Sequence, residues 1–159
     1  MSDDRFLIRI SEEIPTLQEC FEFCSSDPSA GAVSTFVGIT RDTFEGKRVL
    51  KLSYEGYVTM AEKELLQLCN EAVEKYASVK RIAAVHILGD CPISNASVIL
   101  ACSSPHRRDA IHCCEFLIDE LKARIPIWKR KVDENGGVLK ENVEWMDSKS
   151  QRVIKRAEL

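Results

Sequence analysis

The run from Val79 to Pro126, VKRIAAVHILGDCPISNASVILACSSPHRRDAIHCCEFLIDELKARIP, carries two strand patterns, a turn and a helix in direct succession. Val79 to Leu88 and Ala96 to Cys102 are rich in β-branched and aliphatic residues, and Gly89, Asp90, Pro92 and Asn95 mark a turn region between them. Ser104 is placed to cap the next helix, with Pro105 at its first position. Ala110, Cys114, Leu117, Leu121 and Ile125 then recur at helical spacing until Pro126, which lacks the backbone N–H a helix needs, stops the element. Two consecutive strands followed by a helix break the regular βαβ alternation of a parallel sheet, so the fold class is α+β.

The flanks agree with that class. Phe6, Ile8 and Ile10 alternate with Arg5, Leu7 and Arg9 as in a strand, and after Pro15 the residues Leu17, Cys20, Phe21 and Cys24 share a helical face. GAVSTFVGIT, from Gly31, and the stretch Val49 to Tyr57 both read as strands, so a hairpin or paired strands joined by a mobile polar loop, Arg41 to Lys47, is expected. Met60 to Tyr76 is an amphipathic helix with Leu65, Leu68, Cys69, Ala72, Val73 and Tyr76 on one face. Residues 1–140 read as one domain. Residues 141–159, polar apart from Trp145, Met146, Val153 and Ile154, read as a tail, either a docked helix or loose.

Apolar residues at 45% and charged residues at 30% exclude a disordered chain. No apolar run suits a signal peptide or a membrane span, so a soluble, cytosolic protein is expected. Seven cysteines without CxxC spacing suggest reduced thiols rather than a disulfide framework or zinc site. A net charge of −3 gives no general attraction to nucleic acid. Lys and Arg nevertheless crowd between Lys122 and Lys131, which points to a small anionic ligand or an acidic protein tail.

Three places could hold an anion. In SSPHRR, His106 and Arg107 fall in the first turn of a helix, where free N–H groups and the helix dipole favour negative charge; the plain alternative is a solvated turn. In LKARIPIWKRK, Lys122, Lys129, Arg130 and Lys131 are interleaved with Ile125, Ile127 and Trp128, and a lysine beside apolar walls gives up its proton more easily. The plain alternative there is a lysine complementing a helix end and another on an exposed strand. Arg41 ends a β-rich run before a polar loop and could swing over a pocket, although loop arginines are more often solvated. Cys91 is the cysteine best placed in a turn to carry a persulfide, but no basic residue is near it in sequence and an inert thiol is the simpler reading.

Five segments together resemble the large, catalytic subunit family of molybdopterin synthase: GAVSTFVGITR (31–41), LSYEGYVTMAEKEL (52–65), VHILGD (85–90), SSPHRRDA (103–110) and LKARIPIWKR (121–130). Each is weak alone, and five in order are specific. The resemblance implies an α/β-hammerhead-like fold with a mixed, mainly antiparallel sheet and packed helices. It also implies a homodimer within a heterotetramer whose partner is a small ubiquitin-like sulfur-carrier subunit. The reaction implied is conversion of cyclic pyranopterin monophosphate to molybdopterin with sulfur from the carrier's C-terminal thiocarboxylate, without a metal or a resident cofactor. Carried over by motif, Lys129 and Lys122 are the expected catalytic residues, Lys129 moving protons and Lys122 holding the carrier's terminus. Arg41, His106, Arg107, Lys122, Lys129, Arg130 and Lys131 are the expected substrate contacts. Lys131 stands where the family often has Glu, and Leu139 lies where a tryptophan is usual. A non-catalytic adaptor for a ubiquitin-like partner is the alternative, which would have no need of proton-transfer lysines.

Overall fold

The computed structural model describes residues 3–13, 15–141, 144–147 and 152–155, with side chains as far as Val138. In chain order the elements are β1 (Phe6–Ser11), α1 (Leu17–Ser25), β2 (Ala32–Ile39), β3 (Thr43–Phe44), β4 (Lys47–Arg48), β5 (Lys51–Gly56) and α2 (Val58–Lys75). There follow β6 (Arg81–Ile87), β7 (Gly89–Pro92), β8 (Ala96–Ser104), α3 (Arg107–Arg124), β9 (Ile127–Val132), β10 (Val138–Glu141), β11 (Glu144–Asp147) and β12 (Arg152–Lys155).

One sheet has the order β1-β6-β8-β2 and a second the order β10-β9-β5-β7. Pairing is antiparallel throughout the two sheets except between β1 and β6. The fold is therefore α+β with mixed, mainly antiparallel sheets and packed helices. The central strands β6 and β8 are near-continuous apolar runs because both their faces are covered. Their side chains alternate: Ile82, Ala84, Leu100 and Cys102 pack under α2 and α3, while Ala83, Val85, Ile99 and Ala101 pack under α1 with Cys20 and Cys24.

Helices α2 and α3 bury the stripes expected of them, Leu65, Leu68, Cys69 and Ala72 on one and Ala110, Cys114, Leu117 and Leu121 on the other. Glu64 is also buried on that face of α2. Arg124 at the end of α3 compensates it at 3.8 Å and pairs with Glu71 at 2.7 Å, tying the two helices together. On α1 only half of the expected stripe is inside, since Leu17 and Phe21 are exposed.

Four local expectations are corrected. Strands β2 and β5 are not a hairpin: β2 pairs with β8, and β5 lies between β7 and β9 in the other sheet. The loop between them is not featureless but contains the β3–β4 hairpin. Helix α3 begins at Arg107 with His106 as its N-cap residue, so Pro105 lies before the helix, and Ser104 donates its hydroxyl hydrogen to the His106 carbonyl instead of capping an N–H. Beyond residue 140, where a docked helix or a loose tail was expected, the described residues include the antiparallel pair β11 and β12, with β11 running beside α3 and β9.

The chain changes sheets between β6 and β7 without a long connection. Gly89 makes this possible with φ of +80°, a conformation any other residue would adopt only with strain. The two sheets therefore diverge from a shared corner. The space between them, closed at one side by the last turns of α3, is where the cavity lies.

Candidate functional site

The cavity, about 320 Å³ in volume, is walled by side chains from both sheets and from α3. Strand β5 contributes Leu52 and Tyr54 and β9 contributes Ile127, Lys129 and Lys131, every second residue in both, while β2 contributes Phe36, Gly38 and, past a shift of register, Ile39. The C-terminal part of α3 contributes Ile118, Leu121, Lys122 and Ile125, at helical spacing. Arg41 and Thr43 close the rim from the segment after β2.

Four cations, Arg41, Lys122, Lys129 and Lys131, thus meet at one cavity, and among the described residues its lining includes no carboxylate. A cleft with walls of one sign focuses its field on whatever enters, and the apolar floor of Phe36, Leu52 and Ile127 keeps that field from being fully screened. Such a site attracts anions and has room for a flat, ring-sized group beside them.

The structure does not bring all the expected residues together. Arg130 follows Lys129 directly, so strand alternation turns it to the opposite face of β9 with Trp128 and Val132, where its guanidinium is 4.0 Å from Glu55. His106 and Arg107 are exposed at the start of α3, and Lys122 is near its end. Fifteen residues of continuous helix separate Arg107 from Lys122, roughly 22 Å along the axis. Within one chain they belong to two places.

Cys91 is fully buried and its Sγ donates to the Asn95 carbonyl at 3.5 Å, with Thr40 Oγ1 3.3 Å from the sulfur. A persulfide there would meet no substrate, so the turn position that made it attractive in the sequence places the thiol inward. The same holds for the other six cysteines, which are all buried free thiols; burial pushes Cys24 up to about 12. Cys91→Ser is accordingly expected to remain fully active with sulfur supplied from outside, because its hydroxyl can make the same bond to Asn95. Loss of activity in the folded variant, measured by product formation, would restore a role for the thiol.

Lining residues that the sequence reading did not single out include His86, Tyr54 and Ser97. Tyr54 sits edge-on to the His86 ring with centroids 4.9 Å apart, and Ser97 donates to the Gly38 carbonyl at 3.2 Å. His86 Nδ1 is 2.7 Å from the Ile87 carbonyl, which can only accept, so Nδ1 carries the proton and Nε2 is left as an acceptor. Burial pushes the imidazole down to about 4; the bond to Ile87 opposes that shift and the charge of Lys129 adds to it. The one signal in the sequence was a titratable residue inside the apolar run RIAAVHI.

This shift has a consequence for stability. Between about pH 6.5 and about 4 the unfolded chain binds a proton at His86 that the folded chain refuses, so stability is complete above that window and falls as pH drops through it. The expected loss is on the order of 3 kcal/mol at the acid end. Denaturant titrations at pH 7 and pH 4.5 check this, and in His86→Gln the difference between the two should shrink by most of that amount. An unchanged difference would mean that other groups govern the acid transition.

The model of the MoaE protein family matches residues 10–124. The chain belongs to the MoaE family. Among MoaE relatives, a molybdopterin synthase catalytic subunit of Arabidopsis thaliana is 49% identical over 131 residues, covering 82% of this chain and 66% of the relative. One of Taeniopygia guttata is 45% identical over 143 residues, covering 89% of this chain and 92% of the relative. The solved molybdopterin synthase of Staphylococcus aureus superposes with a TM-score of 0.77 at 34% identity, covering 89% of this chain and 98% of that one. The family match runs from the end of β1 to the end of α3, and so includes the cavity lining as far as Lys122 but neither Ile125 nor β9. Among the described residues of this MoaE chain, no helix is long and apolar enough to cross a membrane.

Proposed function

We propose that this chain is the catalytic subunit of a molybdopterin synthase, a sulfurtransferase of molybdenum cofactor biosynthesis. It converts cyclic pyranopterin monophosphate to molybdopterin, and its sulfur comes from the C-terminal thiocarboxylate of a small ubiquitin-like partner subunit. The observation that carries this reading is the convergence of Arg41, Lys122, Lys129 and Lys131 on one cavity. Both the precursor's phosphate and the donor's thiocarboxylate are anions, and bringing them within bonding distance requires cations between them.

The thiocarboxylate sulfur attacks a carbon of the pterin side chain and forms a C–S bond as a C–O bond to that carbon breaks, its oxygen leaving as water or with the opened phosphate, and the carrier stays attached through its acyl group. Water then cleaves the acyl C–S bond, which returns the carrier as a carboxylate and leaves the sulfur on the pterin. Two such deliveries make the dithiolene. Lys129, in the middle of β9 and facing the cavity, moves protons in these steps. Lys122 holds the carrier's terminus, and Arg41 and Lys131 hold the phosphate by charge. No metal or resident cofactor takes part.

The decisive experiment mixes the purified chain with thiocarboxylated carrier and the pterin precursor and follows dithiolene product. A competent carrier that yields no product would refute the enzymatic reading and leave a docking protein.

A further inference from the structure

The hairpin at the rim of the cavity turns through two residues, Glu45 and Gly46, both with positive φ (50° and 78°), the pattern of a type I′ turn. Gly46 adopts it freely, while Glu45 is held there by the pairing of Thr43 with Arg48 and Phe44 with Lys47. At its base the Val49 N–H donates to the Asp42 carbonyl at 2.7 Å, and the next residue, Leu50, donates to the Val132 carbonyl on β9 at 2.8 Å. The hairpin is therefore a small rigid unit anchored at its foot.

From Arg41 to Arg48 every residue is exposed except Phe44, which is half-buried. Lys131 lies against it, with its Nζ 3.9 Å from the centre of the Phe44 ring. Lys131 in turn lines the cavity, as do Arg41 and Thr43 on the hairpin side. A π face attracts an ammonium most when that ammonium is partly shielded from water. Lys131 is half-buried among other cations of the same cavity, a setting in which the attraction of a ring face counts.

We infer that Phe44 is a positioning residue for the cavity: by seating on the Lys131 ammonium it holds the β3–β4 hairpin at the cavity rim and fixes Arg41 where the anionic precursor binds. This rests on the reading of the cavity as the precursor site. Phe44 touches no substrate itself. Its effect reaches the substrate through the hairpin and Arg41.

The docking can be tested without turnover, by limited trypsin digestion of the native full chain with cleavage after Lys47 and Arg48 followed by mass spectrometry. Proteolysis reports the population of the undocked hairpin when opening is fast. Phe44→Leu, which keeps apolar bulk but loses the π face, and Lys131→Met, which keeps length but loses charge, should each be cut about 3- to 30-fold faster than the parent chain. Phe44→Tyr should be cut at the parent rate, and Lys131→Glu, which sets an anion against the ring, should be cut fastest. Cleavage of Phe44→Leu at the parent rate would overturn the docking.

The link to Arg41 is tested by equilibrium binding of the pterin precursor. Phe44→Leu should weaken it about 3- to 30-fold in the parent chain and add nothing in an Arg41→Ala background, since the residue then has nothing to position. Independent, additive losses would overturn the positioning role. A parent chain that binds no precursor at all would instead defeat the functional reading, while the digestion would still decide how the hairpin is held.

Discussion

Alanine at position 129 is expected to lower turnover by about 10²- to 10⁴-fold, the usual range for a lost general acid or base, while fold and carrier binding stay nearly intact. Lys129 lies in the interior of β9 with Tyr54 directly opposite on β5, so the strand and not the side chain fixes its place. Removing the side chain takes no apolar wall from the buried clusters, and the melting temperature should change little. Lys129→Arg separates proton transfer from charge: arginine keeps the cation but cannot release a proton, so it should bind precursor normally and turn over almost as poorly as alanine. Single-turnover assays with saturating carrier and precursor give the comparison. Normal product formation in Lys129→Ala would remove this lysine from the chemistry, and rescue by arginine would reduce its role to holding an anion.

What could be read from the sequence was what repeats within one element. The stripe on α3 and the apolar runs of β6 and β8 gave the α+β class, since a period is carried by the residues themselves. Pairing partners were less legible: β2 and β5 looked like a hairpin because they are neighbours in sequence, but β2 finds β8 more than fifty residues later and β5 belongs to another sheet. Strands of two residues such as β3 and β4, or four such as β7, show no period at all.

The same distinction decides how much of the site was visible. Arg41, Lys122, Lys129 and Lys131 are all among the expected substrate contacts and share one cavity. Arg130 was grouped with them because Lys-Arg-Lys reads as a basic cluster, whereas the strand alternation already present in Ile127, Lys129, Lys131 against Trp128, Arg130, Val132 divides it between two faces. His86 and Tyr54 were missed for a different reason. Each lies in a strand read for its core pattern, and only the approach of β5 to β6 across the corner puts their rings in contact.

The largest qualitative effect is expected from mixing two inactive chains. Helix α3 runs without a break from Arg107 to Arg124, so His106 and Arg107 lie about 22–24 Å from Lys122 and cannot reach the same small pterin within one chain. Should both clusters serve one reaction, the second must come from another copy: His106 and Arg107 of one subunit complete the cavity that holds Lys122 and Lys129 of its partner. Two-fold symmetry makes two such composite sites. Arg107→Ala spoils the site completed by that chain, and Lys129→Ala spoils the site within its own chain. In the heterodimer of the two variants both defects fall on one site and the other site is wild type. Each verified heterodimer should therefore show about half the wild-type activity, and a randomly exchanged mixture about a quarter. Activity that appears only after subunit exchange would establish that the site is shared. Heterodimers that stay inactive, although each chain folds and binds carrier, would exclude it. The continuous α3 leaves no single-chain alternative, so His106 and Arg107 would then have to act away from the pterin, with their exposed helix N-terminus left to bind some other anion.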